Sequence, residues 1–264
     1  EALSTEDGNG NNVAVGYRAL KTQNAGADAY NTAIGYDAGT SITTGARNSL
    51  FGGLAGDALT NGGRNVAMGH GALSDDTSGS YSVALGYQAL STQNFTSATN
   101  TYNTAVGYQS GLSITTGAYN TLIGGLAGDA LTVGNTNTVV GDYALTADTK
   151  GDRNVAIGFA ALENQNFTTS TDSYNVAVGY DAGNDITTGT LNTFIGGLAG
   201  DATTTASNNV AVGYLALSDN STGATNTAVG TSALENNTTA SENTAVGRSS
   251  LVSNTTGTEN TAVG

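Results

Sequence analysis

The chain has 264 residues, with 7 basic against 21 acidic side chains and a net charge of −14. It contains 38 glycines, one histidine, and no proline, cysteine or tryptophan. That composition excludes a disulfide framework, a thiol nucleophile and a zinc–cysteine site, and any histidine-based triad would have to use His70.

The first ten residues, EALSTEDGNG, show neither an initiator Met nor the apolar core of a signal peptide, so they read as the start of a mature product or of a segment of a longer chain. From Asn12 onward the chain is a repeat. The pentapeptide Asn-(Val/Thr/Ser)-(small)-(large apolar)-Gly starts at Asn12, Asn31, Asn48, Asn65, Ser82, Asn103, Asn120, Asn137, Asn154, Asn175, Asn192, Asn209, Asn226, Asn243 and Asn260. Most starts lie 17 residues apart, and longer spacings recur after every fourth rung. Superrepeat units of about 72 residues therefore cover 12–81, 82–153 and 154–225, and simple rungs follow over 226–264. No break in pattern suggests a second domain, so 1–264 reads as one continuous solenoid segment. Because the last rung stops at Gly264, a parent chain is expected to continue in both directions.

Within a rung, positions two and four alternate with position three as a strand requires. Position four is large and apolar, as in Val15, Ile34, Phe51, Met68 and Leu85. Position three is mostly Ala, enlarged to Leu50, Leu122, Val139 and Phe194, and it faces either a neighbouring subunit or the interior of the coil. The glycine that closes each pentapeptide reads as a corner. Beyond it comes an Ala-Leu pair such as Ala19-Leu20 or Ala72-Leu73. In two rungs of each superrepeat that Leu becomes Gly (Gly39 and Gly56, Gly111 and Gly128, Gly183 and Gly200), and the volume returns three residues later at Ile42, Leu59, Ile114, Leu131 and Ile186, with Thr203 as the exception. Such compensation is the mark of a filled core, since a leucine-sized hole costs about 2–5 kcal/mol.

A 17-residue period is too short for helical repeats, and the Gly, Thr and Asn content opposes helix. The economical reading is all-β: a parallel β-solenoid of about 17-residue rungs, with two short strands and two turns per rung stacked roughly 4.8 Å apart. The residues expected to hold this structure are Asn31, Asn48, Asn103, Asn120, Asn175 and Asn192, as an amide ladder in which each side chain bonds the one above and below, and the corner glycines Gly35, Gly52, Gly107, Gly124, Gly179 and Gly196.

The strings NTAVGYQSG, NVAVGYDAG and NTAVGTSALENNTTASE resemble the NTAVGYQAL-type repeats of tail-fibre-domain proteins of phages and aquatic bacteria. They are also similar to the repeats in the head of YadA-like trimeric autotransporter adhesins. The likeness covers nearly the whole chain. It implies a left-handed β-roll assembled as a homotrimer or other homo-oligomeric fibre, an extracellular or virion location, and a part in cell adhesion.

Other residues carry weaker signals. His70 falls in a column otherwise held by Tyr17, Tyr36, Tyr87, Tyr108, Phe159, Tyr180 and Tyr214, so it reads as a turn-packing residue, and the column itself either packs over the corner or stacks on glycans. Asp57, Asp129 and Asp201 recur in GLAGDA, preceded by Asp37 and Asp181, but no calcium-loop spacing accompanies them and they read as a solvated acidic edge. The long rungs insert QNAGADAY, QNFTSATNTY and QNFTTSTDSY, whose Phe95 and Phe167 are expected to be exposed and available for contacts. Without a basic cluster, nucleic acid is excluded as a partner, and no apolar run approaches the roughly 18 residues of a membrane span. No catalytic residue, metal or cofactor is expected, and the chain is not read as an enzyme. The expected function is a structural segment of an extracellular fibre, surface appendage or phage tail fibre involved in attachment to a host surface or cell-surface glycan. The alternative is a ligand-binding β-solenoid, glycan-binding or ice-binding, suggested by pairs such as Thr43-Thr44 and Thr187-Thr188.

Overall fold

The computed structural model describes residues 1–6 and 10–264. It is an all-β parallel solenoid with rungs of about 17 residues, and no helix occurs among the described residues. The chain divides into two compact units, Glu1–Gly134 and Asn135–Gly264, the division falling after the second GLAGDA rung.

In the first unit seven three-residue strands pair in parallel: Val13–Val15, Thr32–Ile34, Ser49–Phe51, Val66–Met68, Val83–Leu85, Thr104–Val106 and Thr121–Ile123. The second unit repeats the arrangement with Thr138–Val140, Val155–Ile157, Val176–Val178, Thr193–Ile195, Val210–Val212, Thr227–Val229, Thr244–Val246 and Thr261–Val263. Register follows the pentapeptide: Ala33 pairs with Leu50, and Leu50 with Ala67. A slip of one residue would exchange the inner and outer faces, so the buried third position fixes it.

Each rung contains one regular strand, where two were expected. Among the described residues a second pairing occurs only where a long rung follows, between Gly79–Ser80 and Thr99–Asn100 and between Gly151–Asp152 and Thr171–Asp172. The reason is the backbone after the corner. Positions seven and nine of the rung take positive φ, as at Arg18 (55°) and Leu20 (49°), so the N–H groups there point alternately to the two neighbouring rungs. Leu54 donates back to the Tyr36 carbonyl and Gly56 forward to Ala72, both at 2.9 Å. Short turns close within the rung, with Thr40 donating to Asp37 and Ile42 to Gly39. Elsewhere the backbone is thus satisfied between rungs without regular strand pairing.

The interior belongs to position three. Ala33, Leu50, Ala67, Ala84, Ala105 and Leu122 in the first unit, and Val139, Ala156, Ala177, Phe194, Ala211 and Ala228 in the second, are fully buried. Leu20, Leu73, Leu90, Leu145 and Leu162 are fully buried with them. The large residues of position four face outward, and the mostly smaller residues of position three face in. Where position nine is Gly, a Cβ would meet the filler directly: at Gly39 it would lie 2.7 Å from Leu50 Cδ1 and 3.0 Å from Ile42 Cδ1. The same geometry explains Thr203. The ring of Phe194 stands where Leu50 and Leu122 stand in the other superrepeats, and three of its carbons lie 2.7–2.8 Å from a Cβ built at Gly200. The larger ring fills the space that Leu59 and Leu131 fill elsewhere.

Candidate functional site

The asparagines form a spine in which the expected amide-to-amide bonds, such as Asn48 Nδ2 to Asn31 Oδ1 (3.2 Å), Asn154 to Asn137 (3.1 Å) and Asn192 to Asn175 (3.3 Å), run alongside bonds to the backbone. Each side-chain oxygen accepts the backbone N–H of the next rung's first residue, as from Asn48 to Asn31 (2.8 Å), Asn120 to Asn103 (2.9 Å) and Asn192 to Asn175 (3.0 Å). In most rungs the side-chain nitrogen also donates to a carbonyl 14 residues ahead in its own rung, as Asn48 does to Gly62 (3.0 Å) and Asn103 to Gly117 (2.7 Å). One buried amide therefore ties a strand start both to the next rung and to the closing turn of its own. Gly35, Gly52, Gly107, Gly124, Gly179 and Gly196 all have φ between 136° and 148°. A Cβ at Gly52 would lie 2.5 Å from the Gly69 carbonyl oxygen, so the corners stack too closely for any side chain.

The long rungs carry buried polar networks. Asp76, fully buried, accepts from Gly79 N (3.0 Å), Phe95 N (3.1 Å) and Gln93 Nε2 (2.6 Å), and Gln93 in turn accepts from Asn103 Nδ2 (2.8 Å). Asp148, Gln165, Phe167 and Asn175 repeat these contacts one superrepeat later. Burial raises the pKa of both aspartates, and the donated hydrogen bonds oppose it. This network overturns the expectation that Phe95 and Phe167 are exposed loop contacts: both are buried. The aspartate draws in the backbone N–H of each, and Thr77 and Thr149 hold their carbonyls at 2.9 Å, so the rings lie against the coil.

The outer surface has three distinct strips. The first is the strand face, where Val15, Ile34, Met68, Ile123, Ile157 and Ile195 are exposed. The second is the aromatic column after the corner. Its rings stack along the rungs: Tyr17 on Tyr36 (5.4 Å), His70 on Tyr87 (5.8 Å), Tyr87 on Tyr108 (5.7 Å) and Phe159 on Tyr180 (5.6 Å). His70 is thus one ring of a stack. A second column precedes the strand, with Tyr81 on Tyr102 (5.1 Å), Tyr102 on Tyr119 (5.7 Å), and the Arg64 guanidinium 5.2 Å from the Tyr81 ring. The sequence signal for this second column was the aromatic or basic residue just before several pentapeptides, Tyr30, Arg47, Arg64, Tyr81, Tyr102 and Tyr119, which repeat analysis centred on the strand passes over.

The third strip is acidic. Half-burial pushes Asp57 up to about 6, with repulsion from Asp75 and Asp37 adding to it and His70 opposing. Asp201 rises to about 6 for the same reason, near Asp185, Asp219 and Asp181. One oxygen of each is buried without a hydrogen-bond partner. Asp37 is buried and ion-paired with Arg18 at 3.1 Å, at an angle outside hydrogen-bond geometry. Among the described residues no group of three or more His, Cys, Asp or Glu is placed to hold a metal ion, and no helix is long and apolar enough to cross a membrane. Compared with known protein families, curated proteins and solved structures, the chain finds no match in any of the three.

Proposed function

We propose that this chain is a rigid segment of an extracellular fibre, surface appendage or phage tail fibre, working in attachment by holding other parts of the assembly apart. The observation that carries the reading is the in-register repetition of the backbone contacts from rung to rung. Strand pairing, the Asn spine and the stacked corner glycines all recur at the same place in the period. A structure whose units contact only their neighbours sets length by rung number and makes stiffness its natural property.

The finer features proposed with it are a left-handed coil and self-association into a homo-oligomer, a trimer being favoured, as in the adhesin heads that the repeat resembles. The outward strand face supports association: apolar side chains project from it rung after rung, an arrangement typical of surfaces that meet a partner. Electron microscopy of the purified assembly tests the proposal. Unbranched filaments with an axial repeat near 4.8 Å are expected, and compact particles would overturn it.

One observation favours a ligand-binding reading for the second unit. Thr188, Thr205, Thr222, Thr239 and Thr256 form an exposed row in five successive rungs. The neighbouring hydroxyls of Thr187, Thr204, Ser221 and Thr238 are already donated to the next rung's carbonyl at 3.0–3.2 Å, which leaves the outer row as the free donors. Thermal hysteresis in a solution of the chain would support an ice-binding row, and its absence would remove that reading.

A further inference from the structure

Six Asn-X-Ser/Thr triplets occur in the chain, beginning at Asn94, Asn166, Asn220, Asn236, Asn237 and Asn254. Such a triplet is the acceptor for asparagine-linked sugars, and it serves where its amide nitrogen and its hydroxyl can both be reached from solvent. The fold sorts the six into two groups.

Four of them have an amide already in use. Asn220 and Asn237 are fully buried. Asn220 Nδ2 donates to the Gly223 carbonyl at 2.9 Å, and Asn237 Nδ2 donates to Ala240 O at 3.0 Å and to Asn220 Oδ1 at 2.9 Å. Asn236 and Asn254 are half-buried, and their nitrogens donate to Val252 O at 2.8 Å and to Gly257 O at 2.9 Å. The hydroxyl of Thr238, third residue of the Asn236 triplet, is donated to the Thr255 carbonyl at 3.1 Å. A nitrogen held on a backbone carbonyl of the coil must give up that bond before it can react, and the carbonyl is then left without its partner.

Asn94 and Asn166 differ on every count. They hold equivalent places in two long rungs, 72 residues apart, and each is exposed together with the threonine two residues on, Thr96 or Thr168. The middle residue sets this arrangement. Asp76 accepts from Phe95 N at 3.1 Å and the Phe95 ring is buried, so its two neighbours turn outward on the same side, as alternation along an extended segment requires. Asp148 does the same for Phe167 at 3.2 Å. The amides are also oriented. The Thr77 hydroxyl shares its proton between Asn94 Oδ1 at 3.1 Å and Phe95 O at 2.9 Å, and Thr149 repeats both distances at Asn166 and Phe167. Each amide is therefore held by its oxygen, and among the described residues none accepts from its nitrogen or bonds the hydroxyl of Thr96 or Thr168. The long rung of the first superrepeat supplies a contrast: Asn24 is exposed at the same place, but Gly26 stands where the hydroxyl is needed.

We propose that Asn94 and Asn166 are sites of asparagine-linked glycosylation. The donor is a sugar activated through phosphate at its anomeric carbon and carried by a nucleotide or a lipid, and the catalyst is a transferase that reads the triplet. The amide nitrogen forms a bond to the anomeric carbon while the bond from that carbon to the phosphate oxygen breaks. The bonding pair leaves with the phosphate, and the displaced amide proton passes to a base of the transferase. The product keeps the Oδ1 contact to Thr77 or Thr149, so the coil beneath is undisturbed. An attached sugar is bulky and hydrated. It would keep a second coil from lying against these turns and leave the outward strand face as the surface for association. The inference rests on the extracellular placement in the reading above.

The test is mass spectrometry of the full chain isolated from the cells that make it, with proteolysis to place each adduct. Sugar-sized increments are expected on Asn94 and Asn166, and none on Asn24, Asn220, Asn236, Asn237 or Asn254. Thr96→Ala with Thr168→Ala should remove the increments completely while both asparagines remain, whereas Thr96→Ser with Thr168→Ser should retain them. Asn94→Gln with Asn166→Gln should also remove them, and this second variant decides the matter if the first does not fold. Unmodified Asn94 and Asn166 in the isolated chain would overturn the proposal. So would adducts that survive the alanine variant, or equal modification of the four bonded asparagines. Blocking synthesis of lipid-carried sugars in the same cells tells the two donors apart: loss of the increments assigns the lipid carrier, persistence assigns the nucleotide, and either supports the sites. Micrographs of the same samples separate the two ideas: filaments without sugar sink the sites alone, and glycosylated compact particles sink the fibre alone.

Discussion

The core around Leu50 and the core around Asp76 lie within one superrepeat and solve the same problem with opposite chemistry. At Leu50 the coil is dry: Gly39 and Gly56 withdraw their side chains, and Leu50, Ile42 and Leu59 occupy the space. At Asp76 the same interior column turns polar, and Asp76 and Gln93 replace Ile42 and Leu59. The polar layer coincides with the long rung, whose extra residues bring backbone N–H groups inward that need an acceptor. Buried polar groups are tolerated where every partner is present, so each layer is internally consistent and neither can be exchanged in pieces. The chain repeats its backbone every rung and its core chemistry every fourth.

The largest break in this comparison should come from the dry layer. Phe194→Ala removes the ring that fills for both Leu50 and Leu59 equivalents, and a loss of about 3–5 kcal/mol is expected in denaturant unfolding followed by circular dichroism. Next comes the polar layer. Asp148→Ala strands Gly151 N, Phe167 N and the Gln165 amide and should cost about 2–3 kcal/mol, with hydrogen exchange faster at Gly151 and Phe167 than elsewhere. A uniform change in exchange along the chain would contradict the layered picture. A smaller effect of the opposite sign is expected at Thr203, whose buried hydroxyl has no partner. Thr203→Val should raise stability by about 1 kcal/mol, and a loss would mean that the hydroxyl is bonded in solution.

The smallest effect concerns pH. Asp57 and Asp201 have folded pKa values near 6 against an ordinary 3.8, so the folded chain holds extra protons between those values. Their contribution to stability is fully present below about pH 4 and is lost as pH rises through 6. Both groups remain half in solvent, which screens the effect. Unfolding midpoints measured from pH 4 to 7 should fall gently, and Asp57→Asn with Asp201→Asn should flatten the slope.

Much of this was legible in the residues. The pentapeptide gave strand position and register because glycine, asparagine and a β-branched run recur at fixed spacing, and the Gly39–Ile42 exchange identified two columns of the core. The third position was ambiguous, since alanine suits both a subunit contact and a narrow interior, and only the cross-section of the coil decides. Phe95 and Phe167 were misplaced because loop aromatics are judged by their neighbours in sequence, whereas the aspartate that pins them lies 19 residues away. The second aromatic column became visible only when residues outside the strand were aligned by rung. Left-handed backbone at Arg18, Leu20 or Tyr30 has no propensity signal, because such conformations are ordinarily given to Gly or Asn.

Those left-handed residues also bear on how the molecule is made. Nearly every rung forces two or three non-glycine residues into a conformation that costs roughly 1–2 kcal/mol each. A lone coil is therefore uphill by several kcal/mol and has no partner for its outward-pointing amides. A completed coil supplies the mould for the next, so assembly must begin with a rare event and then zip forward one turn at a time. Length is cheap once the first turns exist, and a newly made end is always ready to guide the segment that follows.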